Sequence, residues 1–578
     1  SSDQAVRRWA FSEDVAIELF AFYLEWYEAD AHRALKQTLD VLADCIKGNP
    51  DPETGRKIKE HVLRTLAAIV AKKSARILTK SGLQCLDQFL NKRVVGLNEV
   101  YEKFREVDPA VEGLSSLEVW RAWAFHLFSW MELTYVCPLA GKCLVHVFKG
   151  LYKASQDADA PAELKGFTLE VWQEWLRDAL VQRPEVLEDI KVYVLTPIFK
   201  SGREESLKLL EVFSTNSTLS SIDQEVSDQG LLLQLAALEV GKKHGLVEEP
   251  SDTPSPSETP SKTFLLSAST LDALLSHPSI PVRSSAFALL VSSQATTKPF
   301  SPTAISLLHK HLATFHADYD AKVRNEVLGL TKNLIKRLKN IITVAQRSLA
   351  SPRPTGTTMA KKFGPEVALK DLRDAKEVLD RHEEFLCWYL EFLKGELLST
   401  ASYQRHITGV RATLLLLRVG KHAGATDDTI DSDIAKAIYK DQTWIRVLMD
   451  LFWDPFDDVR EGAATTLGLL PPSEYGVAEG PDMCGLLREV VSRARELADR
   501  TGRADHGDGA ARSQGLLCSW LGTQKERIAL LKEILDRIGQ KVDKAEKNLG
   551  HAAIESPVHA DFAAARYDFQ LSSSIHRN

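Results

Sequence analysis

Cationic side chains are concentrated in one stretch, AKVRNEVLGLTKNLIKRLKNIITVAQR (321–347). Lys332, Lys336 and Lys339 follow one another at spacings of four and three, which brings them near one face of a helix. Arg337 and Arg347 add charge, and Lys361 and Lys362 follow in a loop. Leu328, Leu330, Leu334, Ile335, Leu338 and Ile341 supply the apolar side. The chain as a whole has a net charge of −7 and a pI near 6.2, so any polyanion contact must come from a local patch. A stripe like this fits phosphate binding, and it also fits a solvated helix face of ordinary charge. A second basic stretch, AKKSARILTKSG (71–82), carries Lys72, Lys73, Arg76 and Lys80 and is open to the same two readings.

Other reactive groupings are weaker. RADHGDGAAR (503–512) brings Asp505, His506 and Asp508 together, but metal sites draw ligands from several elements and no second His/Cys set stands out. A surface loop whose Asp caps a helix near Ala510 accounts for it better. Trp120, Trp123 and Trp130, then Trp172 and Trp175, fall at helical spacings; base-stacking platforms look like this, but core aromatics are far more common. The chain has no GxSxG elbow, P-loop, HExxH pair or glycine-rich fingerprint. We therefore expect neither catalytic residues nor a bound metal or cofactor.

The elements that would carry these residues read as helix pairs. The first 245 residues run almost wholly as amphipathic segments, from DVAIELFAFYLEWYEADAHRALKQTLDVLADCI, broken by GNPDPETG, to QGLLLQLAALEVGKKHG. KVYVLTPIF (191–199) is the one strand-like run, and Pro197 argues against a central strand there. Residues 248–262 (EEPSDTPSPSETPSK) are too polar and too rich in Pro, Ser and Thr to bury a core. They separate an aromatic-rich first region, 1–247, from a second, 263–578, interrupted by expected loops at 351–366, 471–482 and 501–510.

The second region carries a repeated phrase: HPSIPVRSSA, DYDAKVRNEV and DPFDDVREGA, each a turn followed by Val-Arg and an amphipathic run. Val282 and Val323 lie 41 residues apart, and Val459 a further 136, close to three units of roughly 45. This is the grammar of a HEAT repeat's second helix: Asp or Ser caps it, Val enters the core and Arg reaches an acidic group on a neighbouring repeat. The expected fold class is all-α, a HEAT/armadillo-like α-solenoid.

Composition agrees, with 44% apolar and 26% charged residues. Seven scattered cysteines with no CxxC pair read as reduced core thiols of a cytoplasmic or nuclear protein, with cytoplasmic the expectation. The N-terminus shows no signal-peptide pattern. The apolar window 122–141 contains His126, Glu132 and Pro138, so a buried helix is expected there rather than a membrane span.

Several phrases go beyond generic repeat grammar. RHEEFLCWYLEFLKGELLSTASYQRHITGVRATLLLL (381–417), LFWDPFDDVREGAATTLG (451–468), TGRADHGDGAARSQG (501–515) and ADYDAKVRNEVL resemble the THADA family, the thyroid-adenoma-associated protein and its fungal counterparts. The resemblance covers roughly 264–530. It implies a fragment of a longer fungal protein that is itself non-catalytic. Such a protein would partner an FtsJ-type tRNA 2′-O-methyltransferase, bind tRNA, and direct ribose methylation to nucleotide 32 of the anticodon loop. The enzyme would hold the AdoMet, with this chain a monomer within a heterodimer. A small enzyme has little surface with which to grip a folded tRNA, and a long helical scaffold contacts several phosphates at once.

On this reading Lys332, Lys336, Arg337, Lys339, Arg347, Lys361 and Lys362 are the RNA candidates. In the family-like motifs, Tyr403, Gln404, Arg405 and Arg411 are candidates either for RNA or for locking adjacent repeats, with Arg405 open to an internal pair. Asp457, Asp458 and Arg460 read as an inter-repeat hydrogen-bonding ladder, and Arg503 and His506 belong to the third motif. Two other functions stay open: a general protein-interaction solenoid such as a transport or trafficking adaptor, and a calcium-pump regulator without RNA binding. No membrane insertion is expected under any of them.

Overall fold

A computed structural model describes residues 11–26, 32–71, 76–160, 165–215, 224–250, 263–350, 365–418 and 430–470, with Glu496. Every regular element among them is helical, and the only β pairing is an isolated bridge between Val247 and Phe264. The chain is an all-α, HEAT/armadillo-like α-solenoid. It divides into two compact units, Ser1–Gln294 and Ala295–Asn578.

This boundary lies well past the Pro/Ser/Thr-rich segment at which the sequence suggested a break. The reason is a pair of ties back into the first unit. Phe264 donates its backbone N–H to Leu246 and Glu248 donates to Phe264. Beyond them, Lys242, at the end of the Gln224–Lys243 helix, donates to the carbonyls of Leu289 and Leu290, each at 3.1 Å. Those carbonyls belong to the last turn of the Ile280–Val291 helix, where four acceptors have no partner within the helix. A buried ammonium satisfies two of them, with Glu249 3.2 Å away to balance its charge.

Helix starts in this unit follow the sequence closely. Asp51 accepts from the backbone of Glu53 and Thr54, and Pro52 fills the first helical position. Ser115 and Glu118 form a reciprocal capping box at the Ser116–Trp130 helix. Trp120, Trp123, Trp130, Trp172 and Trp175 are all buried, with Trp120 against Trp123 at 5.8 Å and Trp172 against Trp175 at 6.1 Å. They are core. The apolar window 122–141 is broken by turns at 131–136, and no described helix is long and apolar enough to cross a membrane.

The strand-like run is helical too, in an unusual form. Lys191–Leu195 is a π turn joining the Leu187–Ile190 and Thr196–Ser201 helices. Pro197 has no N–H to donate and its ring crowds the preceding turn, so the helix widens there. The Thr196 hydroxyl accordingly donates to Lys191, five residues back, at 2.8 Å. The bulge presses on Gly141 of the Cys137–Ser155 helix, where an added Cβ would lie 2.4 Å from Tyr193 Cβ.

In the second unit, three helices run side by side in parallel: Ala321–Ala350, Tyr403–Arg418 and Asp457–Gly468. Arg324 lies over the Tyr403 ring at 5.8 Å, and Tyr403 donates to Asp458 at 2.9 Å, so their N-termini share one edge. Farther along, Gly462 sits where a side chain would meet Val410.

The Val-Arg phrases mark helix starts, as expected, but their arginines act differently. Arg283 donates to the carbonyls of His277 and Pro278 at 2.8 and 3.0 Å. Arg324 does the same to Asp318 and Tyr319 at 3.0 and 2.7 Å, and Arg460 reaches Asp454. Each guanidinium folds back five or six residues onto its own turn, and Arg324 also lies over Tyr403 of the neighbouring helix. Arg460 also takes an acid, Asp457, from that same turn. Val282 and Val459 are fully buried and Val323 partly so. Caps are mixed: Asp320 accepts from Lys322 N–H at 2.7 Å, whereas neither Ser279 nor Phe456 caps through its side chain.

Gly141→Ala should destabilise the first unit by about 1–3 kcal/mol, the usual cost of overpacking a filled core. Chemical denaturation of the variant against wild type measures this, and an equal midpoint would show that the π turn yields freely.

Candidate functional site

The lysine-rich helix divides its charges between two sides. Arg337 is only 2% exposed, and it donates to the carbonyls of Lys298 and Pro299 at 3.0 and 3.2 Å with its guanidinium 3.7 Å from the centre of the Phe300 ring. Lys339 is 4% exposed, donating to the Leu416 carbonyl and lying 2.8 Å from Asp431. Neither can contact RNA; both correct the sequence expectation. A spacing of four and three defines a face only loosely, and these two positions fall on its inner margin, where internal carbonyls and a carboxylate compensate the buried charge.

Other cations of this helix point outward. Lys332, Lys336 and Arg347 are exposed along one side of the Ala321–Ala350 helix, interspersed with the exposed or half-buried Asn333, Asn340 and Thr343. The adjacent Tyr403–Arg418 helix exposes Arg411 and Arg418, two turns apart. Arg411 donates to Asn325 at 3.2 Å, which ties the two helices into one face. Arg418 went unnoticed in the sequence because it stands alone after an apolar run; the seven-residue step from Arg411 was the available signal. Lys332 to Arg347 covers about 20 Å of helix, and neighbouring helices pack about 10 Å apart. The resulting patch of five cations spans several phosphates of a nucleic-acid backbone.

The family-like motif residues mostly hold the helices to one another. Tyr403 bridges to Asp458 and packs against Phe456, ring centroids 4.1 Å apart. Arg405 donates twice to one oxygen of Glu396, at 2.9 and 2.7 Å, a carboxylate that is itself buried. Gln404 is half-buried beside them. Asp458 joins two helices, as a ladder residue should, while Asp457 and Arg460 pair within one turn. Lys361, Lys362, Arg503 and His506 lie outside the described residues, as do 251–262 and the expected loops at 471–482 and 501–510 and nearly all of that at 351–366. Of the 71–82 stretch, Lys80 is half-buried and Lys72 and Lys73 are not described.

The sequence reading missed His406, in the same motif. It is buried, with Nδ1 2.6 Å from Asp454 and Nε2 2.7 Å from the Leu398 carbonyl. Both partners accept, so both ring nitrogens must donate and the imidazole is cationic. Burial opposes the charge, but the hydrogen bonds to Asp454 and Leu398 outweigh it and hold His406 above its ordinary value of 6.5. His316, by contrast, has no such partner; burial and then Arg405 push it down to about 3, and it is neutral.

No group of three or more His, Cys, Asp or Glu side chains could hold a metal among the described residues. Cys45, Cys85, Cys137 and Cys143 are buried free thiols, and Cys387 is a free, exposed one.

Two outcomes follow from these buried cations. Arg337→Ala strands two carbonyls and leaves a void beside Phe300, so unfolding free energy should fall by about 3 kcal/mol in a denaturant titration. His406→Gln should cost about 1–3 kcal/mol at pH 6. Because the folded value is raised, the stabilisation from His406 is complete below 6.5 and is lost as pH climbs through the folded value. The melting-temperature gap between wild type and His406→Gln should therefore narrow as the pH rises above 6.5, and a constant gap would contradict a cationic His406.

The profile of the family described as "Trm732, TPR repeats" matches residues 169–461. Over 316 residues the chain is 25% identical to the tRNA (32-2′-O)-methyltransferase regulator trm732 of Schizosaccharomyces pombe, a match spanning 53% of this chain and 19% of that protein. Among solved structures, importin beta aligns over 97% of this chain and 69% of its own at 12% identity and a TM-score of 0.28. A Kap121p mutant aligns over 98% and 50% at 13% identity and a TM-score of 0.32. The family match takes in just over half of the chain, from the Leu169–Gln182 helix to the Arg460 turn, and the chain belongs to the Trm732 family.

Proposed function

We propose that this chain is part of a non-catalytic regulatory subunit that binds tRNA and a 2′-O-methyltransferase and directs ribose methylation to nucleotide 32 of the anticodon loop. The observation that carries this reading is the two-helix face of Lys332, Lys336, Arg347, Arg411 and Arg418 on a chain of net charge −7. A polyanion has reason to select that face and not the rest of the surface. The name of the fission-yeast relative supports the choice of tRNA and of position 32. Free thiols among the described cysteines fit a reducing compartment, the cytoplasm.

The mechanism is one of placement. A rigid helical face engages phosphates through point charges, reading the shape of the RNA and not its sequence. With tRNA and enzyme held on one scaffold, encounter of the target ribose with the enzyme becomes effectively intramolecular. The methyl donor and the reacting groups belong to the enzyme.

The test uses the full-length protein. Replacing Lys332, Lys336 and Arg418 by Glu should weaken tRNA binding at least tenfold near 0.1 M salt and make the log–log salt dependence shallower by about 2, since phosphate contacts are removed. Mapping of 2′-O-methyl groups should show methylation at nucleotide 32 falling in parallel when the variant replaces wild type. Unchanged affinity and unchanged methylation would overturn the reading.

A further inference from the structure

The edge at which the three parallel helices begin has a different character from the basic face. Each of the three turns there exposes one large apolar side chain: Tyr319 at 78%, Leu398 at 49% and Phe456 at 45%. Their backbones belong to one connected frame. Arg324 binds the Tyr319 carbonyl and lies over Tyr403, which packs on Phe456. Asp454 accepts the Phe456 N–H at 2.9 Å and holds His406, whose other nitrogen binds the Leu398 carbonyl. Apolar groups presented on a pre-formed frame lose little freedom on binding, which is the usual condition for interface anchors.

Charge decides what kind of partner suits this edge. In the turns and first two helical turns, Asp320, Glu326, Asp457, Asp458 and Glu461 are exposed, against Lys322 and the half-buried Arg405, whose charge is already met by Glu396. Phosphates would be repelled there, so stacked bases of an RNA are a poor fit despite the aromatics. A protein surface with apolar side chains ringed by lysine or arginine is complementary on both counts.

We propose that the Tyr319–Leu398–Phe456 edge is a protein-docking surface and that its occupant is the methyltransferase, through an apolar patch with a basic rim. The choice of enzyme rests on the function proposed above; the division of labour, tRNA on the basic face and protein on the acidic apolar edge, is new to this inference. The face lies on two of the three helices that begin at the edge, so the enzyme would sit beside the RNA it modifies.

The experiment takes full-length protein, purified methyltransferase and tRNA, with binding of each partner measured separately by titration. One variant carries Tyr319→Ser, Leu398→Ser and Phe456→Ser; a second, Glu326→Lys with Glu461→Lys, alters only exposed charge. Thermal unfolding confirms that both fold. We expect each variant to bind methyltransferase at least tenfold more weakly, with tRNA affinity not reduced. Undiminished methyltransferase binding in the serine variant overturns the proposal, as does a loss of tRNA affinity there, which would make the edge a base-stacking surface. If wild-type protein binds no methyltransferase at all, the regulatory reading itself falls and this occupant with it.

Discussion

A turn between two packed helices leaves backbone carbonyls facing a space that water does not fill, and each unmet acceptor carries a desolvation cost. This protein meets them with cations, buried at Arg324, Arg460, Arg337, Lys242 and Lys339 and half-buried at Arg283. Arg283, Arg324 and Arg460 close the turns ahead of their own helices, Arg337 closes the 298–299 segment, and Lys242 and Lys339 close the last turns of other helices. The guanidinium suits the turns because one Nη1 reaches two successive carbonyls at Arg283 and at Arg324. The ammonium suits the helix ends, where it meets carbonyls together with a carboxylate, Glu249 or Asp431. If these charges were removed, the helices would keep their propensity but lose the register that places their N-termini on one edge.

That register separates two surfaces. The basic face follows the sides of the helices, while the acidic, apolar edge follows their starts. Acid near helix N-termini also interacts favourably with the helix dipole, so this arrangement favours the fold as well as separating possible partners. His406 links the two concerns. It is buried to hold the Leu398 and Asp454 turns together, with an acceptor at each ring nitrogen.

Much of the fold was legible in the sequence because it depends on local rules. Asp51-Pro52 announces a helix start, Pro197 excludes a strand, and Val282 and Val459 identify a buried helical face. The candidate site was legible only in part. Whether a lysine on an amphipathic helix faces water or an unsatisfied carbonyl depends on which residues 40 to 80 positions away pack against it, as Lys298 does at Arg337 and Leu416 at Lys339. Periodicity carries no record of that pairing. For the same reason the reach of Arg324 was misassigned: a backbone carbonyl has no side-chain signature, so an acidic partner was the natural guess.

The inward orientation of the motif residues also bears on how this family can diversify. His406, Asp454, Arg405 and Arg460 spend their chemistry on the scaffold, whereas Lys332, Lys336 and Arg418 are exposed on the outer sides of their helices. A lineage could exchange those outer cations for other residues and acquire a new cargo without disturbing the framework. The phrases by which such chains are recognised would persist through the change. Kinship read from ASYQRHITGV and DPFDDVR is therefore kinship of architecture, and a choice of cargo would be made at the outward-facing positions between them.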